Sequence, residues 1–212
     1  EVKMNLNIPY METDNKLLND AYRIAAGDIV GNIVYYQNGL LTEEKPCMIA
    51  GLDYNTPWTR DTAINIWNAL SILSPEVSKN TLLAVLEEEE GNIYIGGQYW
   101  DSIIWMIGAR EYCRFHKDDN FYRLAFEAGR NSVHRLEEDE FDEEDGLFRG
   151  PAVYGDGIAA YPDKYSKCPN QGSGILEWVD YPGNPVYPKG YGIPMKALST
   201  NCVYFKAYEI LA

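Results

Sequence analysis

Histidine is nearly absent from this chain, with only His116 and His134 among 212 residues. The four cysteines, Cys47, Cys113, Cys168 and Cys202, show no CxxC spacing. Together these shortages exclude a zinc cluster, which needs closely spaced thiolate and imidazole ligands. Cys113 and Cys202 fall in apolar helical stretches and read as small buried hydrophobes, while the two loop cysteines are free to pair or not. Basic residues are scarce as well: 18 Lys and Arg face 32 Asp and Glu, for a net charge of −14. A nucleic-acid partner is excluded on that balance, because phosphate binding needs clustered cations. A neutral or cationic ligand is the easier guest. No apolar run reaches membrane-spanning length, and no signal-peptide pattern opens the chain at Glu1. The expectation is a soluble protein that is a mature or excised piece of a longer one, with its compartment open.

Aromatics with a polar edge are abundant: 17 Tyr and 5 Trp against 6 Phe. Such rings suit a wet cleft, where the face stacks on an apolar surface and the OH or NH reaches a hydroxyl, and they equally suit a core with satisfied tips. The acid is concentrated in Glu87 to Glu90 and from Glu137 to Asp145, and both runs read as solvated helix ends.

Periodicity gives a predominantly helical chain. Thr13 or Asp14 caps a first helix, apolar at Leu17, Leu18, Ala21, Ile24, Ala25 and Ile29 and running to about Gln37 before Asn38 and Gly39. Residues 62–73 form a second helix, apolar at Ala63, Ile66, Trp67, Leu70 and Leu73, and stopped by Ser74 and Pro75. Residues 77–89 make an amphipathic helix exposed on one side. Residues 100–115 are apolar on most faces, as a buried helix is. Asp118 or Asp119 caps a fifth helix over 121–138, with Leu124, Ala125, Ala128 and Val133 inward and Arg123, Glu127, Arg130 and Arg135 in water. Residues 146–194 are rich in Gly, Pro and Tyr without a lasting period, and a loop of that length is functional as a rule. A last apolar helix begins near residues 198–200.

The order is repetitive although no short sequence repeat is visible: a polar-faced helix, a loop and a more apolar helix, three times over. Outer and inner helices of this kind pair as αα-hairpins, and hairpins in a ring make an α/α barrel. Three alone leave an apolar flank open, so the expected fold is all-α, the first half of an (α/α)6 toroid over residues 1–212.

In such a ring the loops entering the inner helices gather at one mouth. Three segments qualify: Trp58 to Asp61, Gln98 to Asp101, and the long loop with Asp156. Each sets Trp or Tyr beside a charged group, the chemistry of a platform plus directed hydrogen bonds to vicinal hydroxyls. Asp61 equally suits a helix N-cap with Arg60 as its surface partner, and Asp101 a cap of the next helix. Asp156, between two glycines, is either a carboxyl projected into a pocket or an Asx-turn. Arg149 upstream suits holding a substrate hydroxyl or fixing the Asp156 carboxylate. A calcium loop fails here, since counting back from Gly146 places Phe141 at the first ligand position.

The segment Asn55 to Ala63, with Trp58, Thr59, Arg60 and Asp61, resembles the Trp-Thr-Arg-Asp-Ser motif of glucoamylases, and Ala50-Gly51 before it is similar to the amylo-1,6-glucosidase relatives. Tyr99-Trp100-Asp101-Ser102 resembles a trehalase signature, although it enters the fourth helix here and the second there. The resemblance implies a six-hairpin glycoside hydrolase, inverting and without cofactor or metal, that acts on a terminal sugar of an oligosaccharide. It assigns Arg60 and Asp61 to hydroxyls of that sugar and Asp156 to the general acid; the residues themselves suit Trp58 and Trp100 to platforms and Asp101 and Arg149 to further substrate contacts. Inverting chemistry needs a second carboxylate roughly 6.5–9.5 Å away to activate water, and in the relatives it lies near the last hairpin, beyond this chain. A non-catalytic carbohydrate-binding toroid and a glycoside phosphorylase are the competing readings. A histidine-dependent epimerase is disfavoured by the positions of His116 and His134.

Overall fold

A computed structural model describes residues 8–97, 100–152 and 195–212. The chain is mostly helical, with short strands that the all-α expectation lacked. The elements run α1 (Lys16–Gly31), β1 (Ile33–Tyr36), β2 (Lys45–Met48), α2 (Thr59–Asn65), a π-helical turn (Ile66–Leu70), α3 (Ser71–Leu73), α4 (Pro75–Ala84), β3 (Leu86–Glu89), β4 (Asn92–Ile95), α5 (Asp101–Phe115), α6 (Asp119–Glu140), β5 (Phe141–Asp142), β6 (Leu147–Phe148) and α7 (Leu198–Leu211). Among the described residues the strands pair antiparallel in three separate two-stranded hairpins, β1–β2, β3–β4 and β5–β6. The order helix, hairpin, helix therefore occurs three times, and each hairpin occupies the connection between a first and a second helix.

Local chemistry explains these boundaries. The cap of α1 is Asn15, whose side chain accepts from the amides of Leu17 at 3.0 Å and Leu18 at 3.3 Å, one or two residues after the expected Thr13 or Asp14. The helix stops at Gly31, well short of Gln37, because Ile33, Val34, Tyr35 and Tyr36 are β-branched or aromatic and pair with Met48 to Lys45. Pro75 opens α4 at its first turn, where a missing amide costs nothing. That helix ends at Ala84, and Glu87 to Glu90 form a strand and a turn where solvated helix end was expected. Glu90 (φ 52°) and Gly91 (φ 81°) make the connection to β4, the two left-handed residues of a type I′ hairpin turn. Asp118 caps α6, accepting from the Phe121 amide at 3.0 Å. Lys79 bonds to it at 2.6 Å, and the two hydrogen bonds hold its carboxyl below the usual range.

The core centres on α5. Ile103, Ile104, Trp105, Met106 and Ala109 are all buried, and the helix packs against α2, α4, α6 and α7. Contact with α2 is close: a Cβ on Gly108 would stand 2.8 Å from the Ala63 Cα. The Trp105 indole donates to the Leu82 carbonyl at 3.3 Å. Helix α4, expected to be exposed along one side, buries Val77, Ser78, Asn80, Thr81, Leu82 and Ala84.

Two hairpins are tied to the following unit by the same device. Asn80 donates to the Pro46 carbonyl at 3.2 Å while Thr81 Oγ1 accepts from the Met48 amide at 3.0 Å. One unit on, Asn131 donates to the Ile93 carbonyl at 3.1 Å while Ser132 Oγ accepts from the Ile95 amide at 2.9 Å. An Asn followed by a hydroxyl residue thus satisfies a strand carbonyl and the amide two residues later in both units. The third hairpin is held differently, by Asn201 of α7 on both backbone groups of Phe148, with the Phe148 ring stacked 3.6 Å from Tyr204.

Other expectations are corrected. Leu17, Leu18 and Ile24 of α1 are exposed, and no residue of that helix is buried. Trp67 is exposed as well, because the wider π turn rotates it off the face that Ala63 and Ile66 bury. Cys113 is half-buried and Cys202 exposed, so only the former behaves as a small hydrophobe. Cys47 is a buried free thiol in β2, pushed up to about 12 by burial. The run from Glu137 to Asp145 is only partly solvated: Glu140 is buried, and Asp142 is an ion-pair centre. No helix among the described residues is long and apolar enough to cross a membrane.

Candidate functional site

Two of the three segments singled out in the sequence meet. Thr59, the first residue of α2, is buried and donates through Oγ1 to the Gly96 carbonyl at 2.8 Å. That bond fastens the loop after hairpin β1–β2 to the loop after β3–β4. Gly97 adopts φ +112°, and a Cβ there would come within 2.6 Å of the Asp101 Cβ, 2.8 Å of its carboxylate and 3.0 Å of Thr59 Oγ1. Only a glycine allows the backbone to pass between them.

The contact leaves a cleft of about 220 Å³ whose lining includes Asn38, Trp58, Thr59, Glu87, Gly96, Gly97 and Asp101. Trp58 is 45% exposed, and Tyr54 packs edge-on against it with ring centroids 6.0 Å apart. Trp58 thus presents an exposed ring to the cleft, with a second aromatic beside it. Asp101 is buried at the start of α5. Trp58, and not Asp61, precedes the first helical residue of α2, so Asp61 lies inside the first turn, where its charge favours the helix N-terminus.

Trp100 departs from expectation. It is only 1% exposed, so its ring is no open platform for a sugar. The Arg60 guanidinium lies over it at 5.8 Å, a cation–π arrangement that orients the arginine. Sequence order set these two residues forty positions apart in separate motifs, and the fold makes them one unit.

Arg149 is placed at the third hairpin. It pairs with Asp142 at 2.8 Å, and Lys196 reaches the same carboxylate at 2.7 Å. The Lys196 and Glu144 hydrogen bonds, followed by the Arg149 charge, hold Asp142 below the usual carboxylate range. Arg149 thus fixes the carboxylate of Asp142 at the base of the loop, where the sequence reading had it hold a substrate hydroxyl or the Asp156 carboxylate. Asp156 lies outside the described residues, as do Gln98 and Tyr99.

Three contributors had no role of their own in the sequence reading. Thr59 stood inside the motif without a role of its own. Glu87 was hidden in a run of four glutamates that reads as helix end. Tyr54 carried a weak signal, an aromatic four residues before Trp58. His116, at the end of α5, bonds through Nε2 to the Ser71 carbonyl at 2.6 Å and belongs to the packing of α5 on α3. Among the described residues no group of three or more His, Cys, Asp and Glu is arranged to hold a metal ion. No protein-family model, curated protein or solved structure matches the chain.

Proposed function

We propose that this chain forms the sugar-recognising part of a glycoside hydrolase that acts on a terminal sugar of an oligosaccharide by inversion. The observation that carries the reading is the pairing, in one cleft, of the half-exposed Trp58 ring with the buried Asp101 carboxylate. An indole face takes the apolar face of a pyranose, and a carboxylate accepts from its hydroxyls. Arg60, steadied on Trp100, and Asp61 beside it supply further contacts in this scheme.

The threefold order of helix, hairpin and helix supports an α/α toroid as the parent architecture. An open groove of about 300 Å³ between α5, α6 and α7, lined by Met106, Cys113, Phe126 and Ile210 among others, supports further helices closing the ring. The general acid is assigned to Asp156 on its resemblance alone, and the base to a later hairpin.

The test uses the full-length protein, with titration calorimetry and product analysis on a panel of oligosaccharides. Trp58→Ala should weaken binding by about tenfold or more, as loss of one stacked ring does, while the thermal melt moves little. Asp156→Asn should abolish turnover and leave binding nearly intact. Turnover at the wild-type rate in Asp156→Asn removes the acid assignment. Binding without any product in the wild type replaces the hydrolase with a carbohydrate-binding toroid.

A further inference from the structure

Glu87 lies in β3, across from Tyr94 in the hairpin register. Side chains alternate along a strand, so Glu87 and Glu89 share one face and Glu88 takes the other. Glu89 is ion-paired with Arg135 at 2.7 Å, and the Arg135 guanidinium sits over the Tyr94 ring at 3.5 Å. The cation on that face is thereby committed. The Glu87 side chain makes no hydrogen bond or ion pair with any described residue. Its carboxylate turns toward the cleft: a Cβ on Gly96 would come within 2.5 Å of Glu87 Oε1. Over the adjoining Gly97 stands the Asp101 carboxylate, 2.8 Å from the corresponding position. Two acids therefore face the same cleft above consecutive glycines, and its described lining holds no Lys or Arg, Arg60 standing beside it next to Thr59.

Glu87 is exposed, and a carboxylate can only accept hydrogen bonds, so a ligand group that displaces water from it must donate. An ammonium group meets the demand better than a hydroxyl, bringing three donors and the opposite charge. The half-exposed face of Trp58 attracts the same cation, and the net charge of −14 adds to the field. We propose that Glu87 is a specificity-determining residue, which makes the cleft select a polyhydroxylated ring carrying a protonated amine, an amino sugar, over its neutral counterpart. This inference rests on the reading of the cleft as a sugar site.

The experiment is calorimetric titration of the full-length protein with D-glucosamine and with D-glucose at near-neutral pH. Glucosamine is expected to bind about tenfold more tightly, the size of one charge-assisted hydrogen bond. Glu87→Gln should erase most of that preference by weakening glucosamine binding far more than glucose binding. Glu88→Gln removes the same charge from the opposite strand face and should preserve the preference. A third measurement needs no variant: raising the salt concentration should weaken glucosamine binding and leave glucose binding alone. Equal affinity for the two sugars in the wild type, or a preference that survives Glu87→Gln, overturns the assignment and leaves the sugar reading standing. Binding of neither sugar overturns both.

Discussion

At the scale of single residues, the site depends on what one backbone position permits. Gly97 combines a left-handed φ of +112° with a Cβ position already filled by Asp101 and Thr59. Gly97→Ala meets both penalties, so it should lower stability by roughly 1–3 kcal/mol in urea unfolding. The same change pushes Asp101 out of the cleft and should reduce sugar binding further than the stability loss explains. Gly91, left-handed but with open space around it, lacks the steric term, and Gly91→Ala is the control. Trp58 and Trp100 show how little a residue type says about its use. Both stand next to the start of a helix, yet one is half exposed and the other buried beneath Arg60.

At the scale of elements, the hairpins decide where the site residues sit. The β3–β4 turn puts Glu90 at φ 52°, a conformation that asparagine and glycine adopt readily and glutamate does not. Glu90→Asn should therefore stabilise the protein by up to about 1 kcal/mol, visible as a higher melting temperature, with no effect on ligand affinity. Unchanged or lower stability would mean that the turn is not type I′ in solution. Hairpins were illegible in the sequence for a local reason. Glu87 to Glu90 follow an amphipathic helix and have helical propensity themselves, so only the cross-strand pairing of Leu86 with Ile95 and Glu87 with Tyr94 reveals the strand. Ile33 to Tyr36 did carry a β-branched and aromatic signal. It was masked because the helical period of α1 runs straight into it.

On the scale of the whole molecule, the third unit is joined to α7 by charge as well as by packing. Asp142 accepts from Lys196 and pairs with Arg149, and its pKa lies below the ordinary 3.8. A depressed carboxylate contributes stability above its unfolded pKa and loses it as the pH falls through the folded value. The tie between hairpin β5–β6 and the start of α7 is thus fully formed at neutral pH and should fail only below about pH 4. Hydrogen exchange across an acid series should show the amides of Phe148 and Asn201 losing protection before those of buried α5. Simultaneous loss in both regions would refute a local tie. Mutation of Lys196 to Met should move the loss of protection to higher pH.

What the sequence determined by itself was the rhythm of the chain. The buried character of residues 103–109, the stop at Pro75, the cap at Asp118 and the threefold alternation of helices are all written in local composition, because they depend on neighbours within one or two turns. The Trp58 to Asp61 segment was likewise legible as a helix entry bearing a ring and charges. Tertiary structure alone decided which of those groups share a cleft. The Thr59 bond to Gly96, the seat of Arg60 on Trp100 and the convergence of Glu87 and Asp101 on one cleft join residues dozens of positions apart or across a hairpin. Such contacts follow from how helices pack and strands pair over long sequence separation, and no local periodicity encodes them.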